Sequence, residues 1–161
     1  MKKIPLTQGK FALVSDKDYE YLNQWKWQTL KCHSSICYAV RTFFLKIERK
    51  HKTIYMHRVI AERMNIKNPD HKDTDGLNNQ RSNLREATYS QQSMNRNLRS
   101  DNKSVYKGVY WRKDTKKWRA CITVYTKRIN LGCFDAIKDA AKAYNKAAIK
   151  YFGEFAVLNK V

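Results

Sequence analysis

Very little in this chain would break up a folded backbone. It has two prolines, Pro5 and Pro69, and five glycines among 161 residues. That scarcity excludes the collagen-like and proline- or glycine-rich low-complexity classes. There is no apolar run of about 18 residues or more, the length a bilayer-spanning helix needs. No apolar signal-peptide core follows Met1-Lys2-Lys3 either, so the chain is expected to stay in the cytoplasm where it is made. Cysteine is sparse, with Cys32, Cys37, Cys121 and Cys133, and in a non-exported protein these are expected to be reduced thiols. Cys32-His33 with Cys37 is too loosely spaced, and too far from a second ligand pair, to read as a zinc site.

Acidic residues are the most telling shortage. Fourteen Asp and Glu stand against 33 Lys and Arg, for a net charge of +19. The excess is not confined to a tail. Residues 1–100 carry 19 basic and 9 acidic side chains, and residues 101–161 carry 14 and 5. So large an imbalance repels itself and calls for a polyanionic partner. A membrane surface fits less well, because the cations are spread along the chain rather than gathered on one amphipathic helix. Four Trp, ten Tyr and six Phe supply enough apolar area for packed cores. Nucleic acid is the expected partner, double-stranded DNA above RNA.

The order of elements reads as α+β. A short apolar run, 11–14, precedes a brief helix that Asp16 is placed to cap. Residues 25–30, 37–47 and 52–56 read as strands, with a hairpin tip at 48–51. From Met56 the apolar period becomes helical, through Val59, Ile60 and Met64, until Asn68-Pro69 stops it. Residues 70–72 and 84–87 form the arms of a hairpin, and Ser90 caps a helix running to about 97. The polar stretch 96–104 reads as a linker. Beyond it, 106–112, 117–125 and 128–131 alternate apolar and polar residues, as strands with one buried face do. Val109, Trp111, Trp118, Ala120, Ile122, Ile129 and Leu131 are expected inside. Gly108, Tyr110, Arg112, Arg119, Cys121, Thr123, Arg128 and Asn130 are expected on the other face. Asp135 caps a final helix with Ile137, Ala140, Ala141, Tyr144, Ala147, Ala148 and Tyr151 as its apolar stripe, and Gly153 ends it. A three-stranded antiparallel sheet backed by one α-helix leaves one basic face bare, of a width that suits a major groove.

Chemistry concentrates in residues 70–97. Asp70 abuts His71, a tight Asp75-Gly76 turn follows, and Asn78, Asn79, Asn83, Gln91, Gln92 and Asn95 add side-chain amides. Oxygen donors of this kind suit a hard cation such as Mg²⁺, with Mn²⁺ as the alternative. Histidine is the side chain that takes a proton from water near neutral pH. In so basic a chain the combination points to metal-assisted cleavage of a phosphodiester. Asn78 and Asn79, beside a glycine, read as turn formers. His57 reads as packing or a phosphate contact, and His33 and His51 as exposed loop residues.

Two resemblances follow from particular motifs. Residues 54–97 resemble the HNH nucleases, particularly those of mobile introns and phages, through MHR, DHKDTDGLNNQRSNLREAT and SQQ. Residues 104–159 resemble the Apetala/ethylene-response-factor DNA-binding domain through YKGVYW, KKWRACI, RINLGCF, DAAKAYNKAA and YFGEFAVLN. The pairing looks like a phage or intron homing endonuclease. The resemblance implies an HNH ββα-metal module at 1–97, with residues 1–50 as a β-rich extension and 54–97 as its core. A linker at 98–103 and a DNA reader at 104–161 follow.

By the same resemblance, Asp70 is the metal-binding acid and His71 the general base. Asn83 braces the loop that orients the histidine. The family's second metal ligand is a His or Asn at the position where this chain has Gln92. That departure lengthens the reach to the cation, and Asn95, one helical turn on, is an alternative ligand. Lys107, Gly108, Tyr110, Arg112, Arg119, Thr123, Arg128 and Asn130 are the expected DNA contacts. One active site per chain implies strand nicking by a monomer. The alternative is a catalytically inactive DNA-binding regulator that keeps the HNH scaffold. Residues 1–50 either extend the DNA grip, through Lys26, Lys31, Arg41 and Lys46, or buttress the fold.

Overall fold

A computed structural model describes residues 1–31, 36–98 and 101–161, and it divides the chain into two compact units, Met1–Thr88 and Tyr89–Val161. The Cys32-His33 motif and part of the expected 98–103 linker lie outside the described residues. No helix among the described residues is long and apolar enough to cross a membrane.

The first unit is a set of small sheets around one core. Strand β1 (Lys2–Pro5) pairs antiparallel with β2 (Phe11–Val14). Helix α1 (Asp16–Leu22) follows. A second sheet is built from β3 (Gln28–Lys31), β4 (Cys37–Leu45) and β5 (Lys50–Tyr55) in that order. Helix α2 (Met56–Arg63) buries Met56 and Ile60, four residues apart and so on one face. A two-stranded hairpin is made by β6 (Pro69–His71) and a strand reached through a two-residue piece, β7 (Asn78–Asn79). Its second arm is β8 (Leu84–Glu86), antiparallel to β6. Strand β7 adds to β2 in parallel, Leu13 opposite Asn78 and Val14 opposite Asn79. That docking draws the loop between β6 and β8 against the core of Ile4, Val14, Leu22, Trp27, Ile60 and Leu84.

Gly76 is what lets that loop approach so closely. A Cβ there would sit 2.4 Å from the Cys37 carbonyl oxygen and 2.6 Å from the Tyr38 ring. The unit's strongest electrostatic tie is buried too. Asp18, fully excluded from solvent, accepts two hydrogen bonds of 2.7 Å from Arg81 and one of 3.3 Å from Arg63. The Arg81 hydrogen bonds hold the Asp18 carboxyl below the usual carboxylate range, against a burial effect that would raise it. The expected Asp16 cap is not made. The residue before the helix is Ser15, and its hydroxyl accepts from the Arg81 amide at 2.9 Å instead.

The second unit begins with helix α3 (Tyr89–Met94). Strands β9 (Val109–Arg112), β10 (Lys117–Val124) and β11 (Lys127–Phe134) form an antiparallel sheet, and helix α4 (Ile137–Phe152) packs on it. Buried alanines at 140, 141, 147 and 148 bring the helix close to the sheet. Tyr144 is buried with Ile122 and Phe152 in the same unit, and burial pushes its hydroxyl up to about 12.

Several expected positions move. Ser90 lies inside α3 rather than at its cap. Ala136 precedes α4, and Asp135 pairs with Lys117 at 3.2 Å. Phe152, not Tyr151, completes the buried stripe. Trp111 is 45 % exposed, because β9 is an edge strand; the Trp118 ring meets it edge-on with centroids 5.1 Å apart. A bulge between Ala120 and Cys121 shifts the register, and Cys121, on the expected face beside Tyr110 and Asn130, is buried there. Gly108 turns inward. Its φ is +74°, and a Cβ would meet the Tyr144 ring at 2.1 Å and the Cys121 carbonyl at 2.6 Å.

Candidate functional site

The β6–β8 hairpin fixes the first group of candidate residues. Its register sets Asp70 directly opposite Arg85 and His71 opposite Leu84. Cross-strand neighbours lie close enough for side-chain contact. Arg85 donates to Asp70 Oδ2 twice, from Nε at 3.2 Å and from a terminal nitrogen at 3.1 Å. Both side chains are largely withdrawn from solvent. Sequence reading did not single out Arg85. The alternation of β8 against β6 is the signal that could have found it.

His71 is buried on the opposite side of its strand from Asp70. Its Nε2 lies 3.2 Å from Asn79 Oδ1. The Asn79 amide is not free to turn over, because its Nδ2 donates to the carbonyls of Leu77, at 3.2 Å, and Gly76, at 3.4 Å. Its oxygen therefore faces the imidazole as an acceptor, which places the ring proton on Nε2 and the basic lone pair on Nδ1. Asn79 is fully buried in β7. Its place beside Gly76 and Asn78 suggests a turn former instead. Its contact with His71 depends on β7 docking to β2, which no local pattern announces.

Burial lowers the His71 pKa, opposed by the Asn79 hydrogen bond and the nearby Asp73, Asp70 and Asp75 carboxylates. The ring is therefore neutral near pH 7. It meets His57 edge-on with centroids 5.0 Å apart, and Tyr38 at 6.1 Å. His57 is held neutral by burial, its pKa pushed down to about 3, and its Nδ1 has no hydrogen-bond partner among the described residues.

Asn83 ties the loop together. Its Nδ2 donates to Asp73 Oδ1 and to the Asn78 carbonyl, both at 2.8 Å, and its Oδ1 accepts from the Asp73 amide at 3.2 Å. Burial works to raise the Asp73 carboxyl, but hydrogen bonds from the Asp75 amide, Asn78 and Asn83 outweigh it and the net shift is downward. Gln92 lies in α3 and Asn95 in the turn after it, both within the second unit.

The oxygen chemistry of Asp70 and of a side-chain amide suits a hard divalent cation. Among the described residues no three His, Cys, Asp or Glu side chains converge as a metal cage.

The second group sits on the sheet face turned away from α4. Arg119 is paired with Tyr110, Cys121 with Asn130, and Thr123 with Arg128. Asn130 Oδ1 accepts from Arg119 Nε at 2.9 Å, and the Arg128 guanidinium lies over the Tyr110 ring at 5.0 Å. Thr123, Arg128 and Asn130 are exposed. Arg112 ion-pairs with Asp114, two residues on. These contacts fix the directions of long side chains that would otherwise lose rotamer freedom on binding.

Lys107 and Gly108 do not belong to that face. The Lys107 ammonium donates to the carbonyls of Met94, at 2.9 Å, and Arg96, at 2.6 Å, closing the C-terminal end of α3. Burial lowers its pKa to about 8. Asn159 clamps the same residue's backbone, accepting from its amide at 2.6 Å and donating to its carbonyl at 3.1 Å.

A protein of Acanthamoeba polyphaga mimivirus, named as an uncharacterized HNH endonuclease, is 29% identical over 154 residues, which cover 96% of this chain and 77% of the relative. Residues 104–154, which span the sheet and α4, match the AP2 domain, so the second unit carries a DNA-binding module.

Proposed function

We propose that the chain is a site-specific DNA endonuclease of the homing type, nicking one strand of a duplex with a divalent metal and a histidine base. One observation carries the reading. The buried Asn79 amide, fixed by two carbonyls, presents its oxygen to His71 Nε2 and leaves Nδ1 as the basic atom, one residue from the Asp70 carboxylate. A neutral imidazole with a defined tautomer is what a general base for water requires. His71 takes the proton as the water oxygen bonds to phosphorus, and the 3′ oxygen leaves.

Asp70 would supply a carboxylate oxygen to the cation. When bound, such a cation neutralises charge on the scissile phosphate and on the leaving oxygen. Arg85 directs the Asp70 Oδ2 through two hydrogen bonds. Asn83 holds the loop on which His71 and Asp73 sit. The likeness to a protein named as an HNH endonuclease supports the same reading.

The AP2 sheet supplies the grip on DNA. Duplex DNA is the form whose major groove admits such a sheet, and a monomer with one site accounts for nicking. Arg119 is the side chain proposed to read a base, with Asn130 orienting its guanidinium. Replacing Arg119 by alanine is expected to cost about 1–3 kcal/mol of discrimination at one base step. Competition binding with single-base variants of the site checks this. A loss equal for all sequences, with only the salt dependence changed, would place Arg119 on the phosphate backbone.

The second reading, a regulator without catalysis, draws on the Asp70–Arg85 pair. A guanidinium already bound to Oδ2 competes with any cation for that oxygen. Relaxation of supercoiled DNA in Mg²⁺ or Mn²⁺, against a control in EDTA, separates the two.

A further inference from the structure

Strands β4 and β5 extend well beyond the sheet that anchors them. Strand β3 pairs with β4 only from Cys37 to Val40, whereas β4 and β5 pair from Val40–Tyr55 out to Leu45–Lys50. The outer part, residues 41–54, is a two-stranded ribbon with no third strand among the described residues. Residues 42–44 and 46–53 are exposed, so neither face of the ribbon is covered among the described residues. Phe43 is 39 %, Phe44 51 % and Ile47, at the tip, 100 % exposed. A bare two-stranded ribbon with exposed aromatics is marginal in water by itself.

Its charge is sorted by face. Directly paired residues of an antiparallel ladder share a side. One side carries Arg41 with Ile54, Phe43 with Lys52, and Leu45 with Lys50. The other carries Thr42 with Thr53 and Phe44 with His51, whose rings touch at 5.1 Å. Lys46 and Arg49 lie in the tip. Glu48 is the ribbon's one acid, and it pairs with Lys50. Lys46, Arg49 and Lys52 have no carboxylate partner among the described residues. At the base, the Arg41 guanidinium stacks on the Trp25 ring at 4.0 Å, which fixes the cationic side's orientation to the rest of its own unit.

We infer that this ribbon is a second, separate DNA-binding element, which lays its Arg41–Lys50–Lys52 side and its Lys46–Arg49 tip along the phosphates of a duplex groove. The inference rests on duplex DNA being the substrate. Three observations favour that occupant over others. A two-stranded ribbon is of a size the major groove admits. The cations line one side only, and the same chain carries an AP2 domain. A solvated lysine-rich hairpin would not need its charges on a single side.

The test is face-resolved binding by the full-length protein, measured by fluorescence anisotropy with a random-sequence duplex of about 30 base pairs across a salt series. Each phosphate contact contributes about 0.9 to the slope of log affinity against log salt. A Lys46→Ala/Lys50→Ala/Lys52→Ala variant is expected to lower that slope by about 2–3 and to weaken binding about 100-fold at 0.1 M salt. His51→Ala, on the opposite side, is expected to leave both unchanged. All four side chains are exposed, so an unchanged melting temperature is expected to accompany each result. An unaltered slope in the triple variant, beside a wild-type chain that binds the duplex, would overturn the ribbon assignment alone. Equal losses from His51→Ala, or preferential displacement of the duplex by single-stranded RNA, would overturn it as well. A wild-type chain that does not bind duplex DNA would bring down the underlying DNA reading with it.

Discussion

Replacing His71 with alanine is expected to lower the rate of strand cleavage by about two to four orders of magnitude, the usual contribution of a positioned acid or base. DNA affinity should hardly change, because the cationic surfaces of the AP2 sheet and of the β4–β5 ribbon are untouched. The substitution has one structural cost. Asn79 Oδ1, fully buried, loses its imidazole donor, and an unsatisfied buried acceptor costs about 1–3 kcal/mol. His71→Gln keeps a donor near Asn79 and supplies no base, so it separates loss of chemistry from loss of fold. Both variants should bind a duplex like wild type and fail to relax a plasmid. Full activity in either would remove His71 as the base.

The second large effect concerns stability. Asp18→Ala is expected to destabilise the first unit by about 3 kcal/mol, because it strands the buried ends of two guanidinium groups. The value sits at the lower end for a buried pair, since Arg81 and Arg63 retain 30% and 39% side-chain exposure and regain some hydration. Arg63→Ala alone should cost about 1 kcal/mol or less, being the longer and more exposed contact.

The pH dependence has a definite sign. Asp18 has a lower pKa folded than unfolded, so its contribution is complete above the unfolded value of 3.8 and disappears as the pH falls. Urea denaturation between pH 3 and pH 7 should show an acid-labile first unit in wild type. Asp18→Asn should flatten that dependence. A variant as acid-labile as wild type would show that the arginine cluster does not govern the first unit.

Much of the second unit was written in its alternation. Tyr110, Arg119, Thr123, Arg128 and Asn130 fall on one side of the sheet, as period-two reading places them. It failed where packing decides exposure. Cys121 keeps the expected face, its sulfur beside Tyr110 Oη and Asn130 Oδ1, but is buried there, and the edge position of β9 exposes a tryptophan counted as core. Gly108 turns inward because Tyr144, 36 residues later in the chain, occupies the space where its side chain would be.

In the first unit the strand–turn–strand pattern around Asp70 and His71 was legible, and so was the helix from Met56. What could not be read locally were the partners. Asn79 reaches His71 only because a two-residue strand docks on β2, 65 positions upstream at the Val14–Asn79 pair. Arg85 reaches Asp70 only through the β6–β8 register. Asp18 finds Arg81 across the unit in the same way. Such contacts are set by tertiary pairing, which single-segment patterns do not encode.

The proposal that this chain cuts DNA is tested most directly by incubating the purified full-length protein with supercoiled plasmids carrying genomic fragments from its source. Mg²⁺, Mn²⁺ and EDTA are the three conditions. Open-circular product with either cation and none with EDTA is the expected result. Plasmids that stay supercoiled under every condition, while the same protein shifts them in a gel, would contradict cleavage and leave a DNA-binding protein.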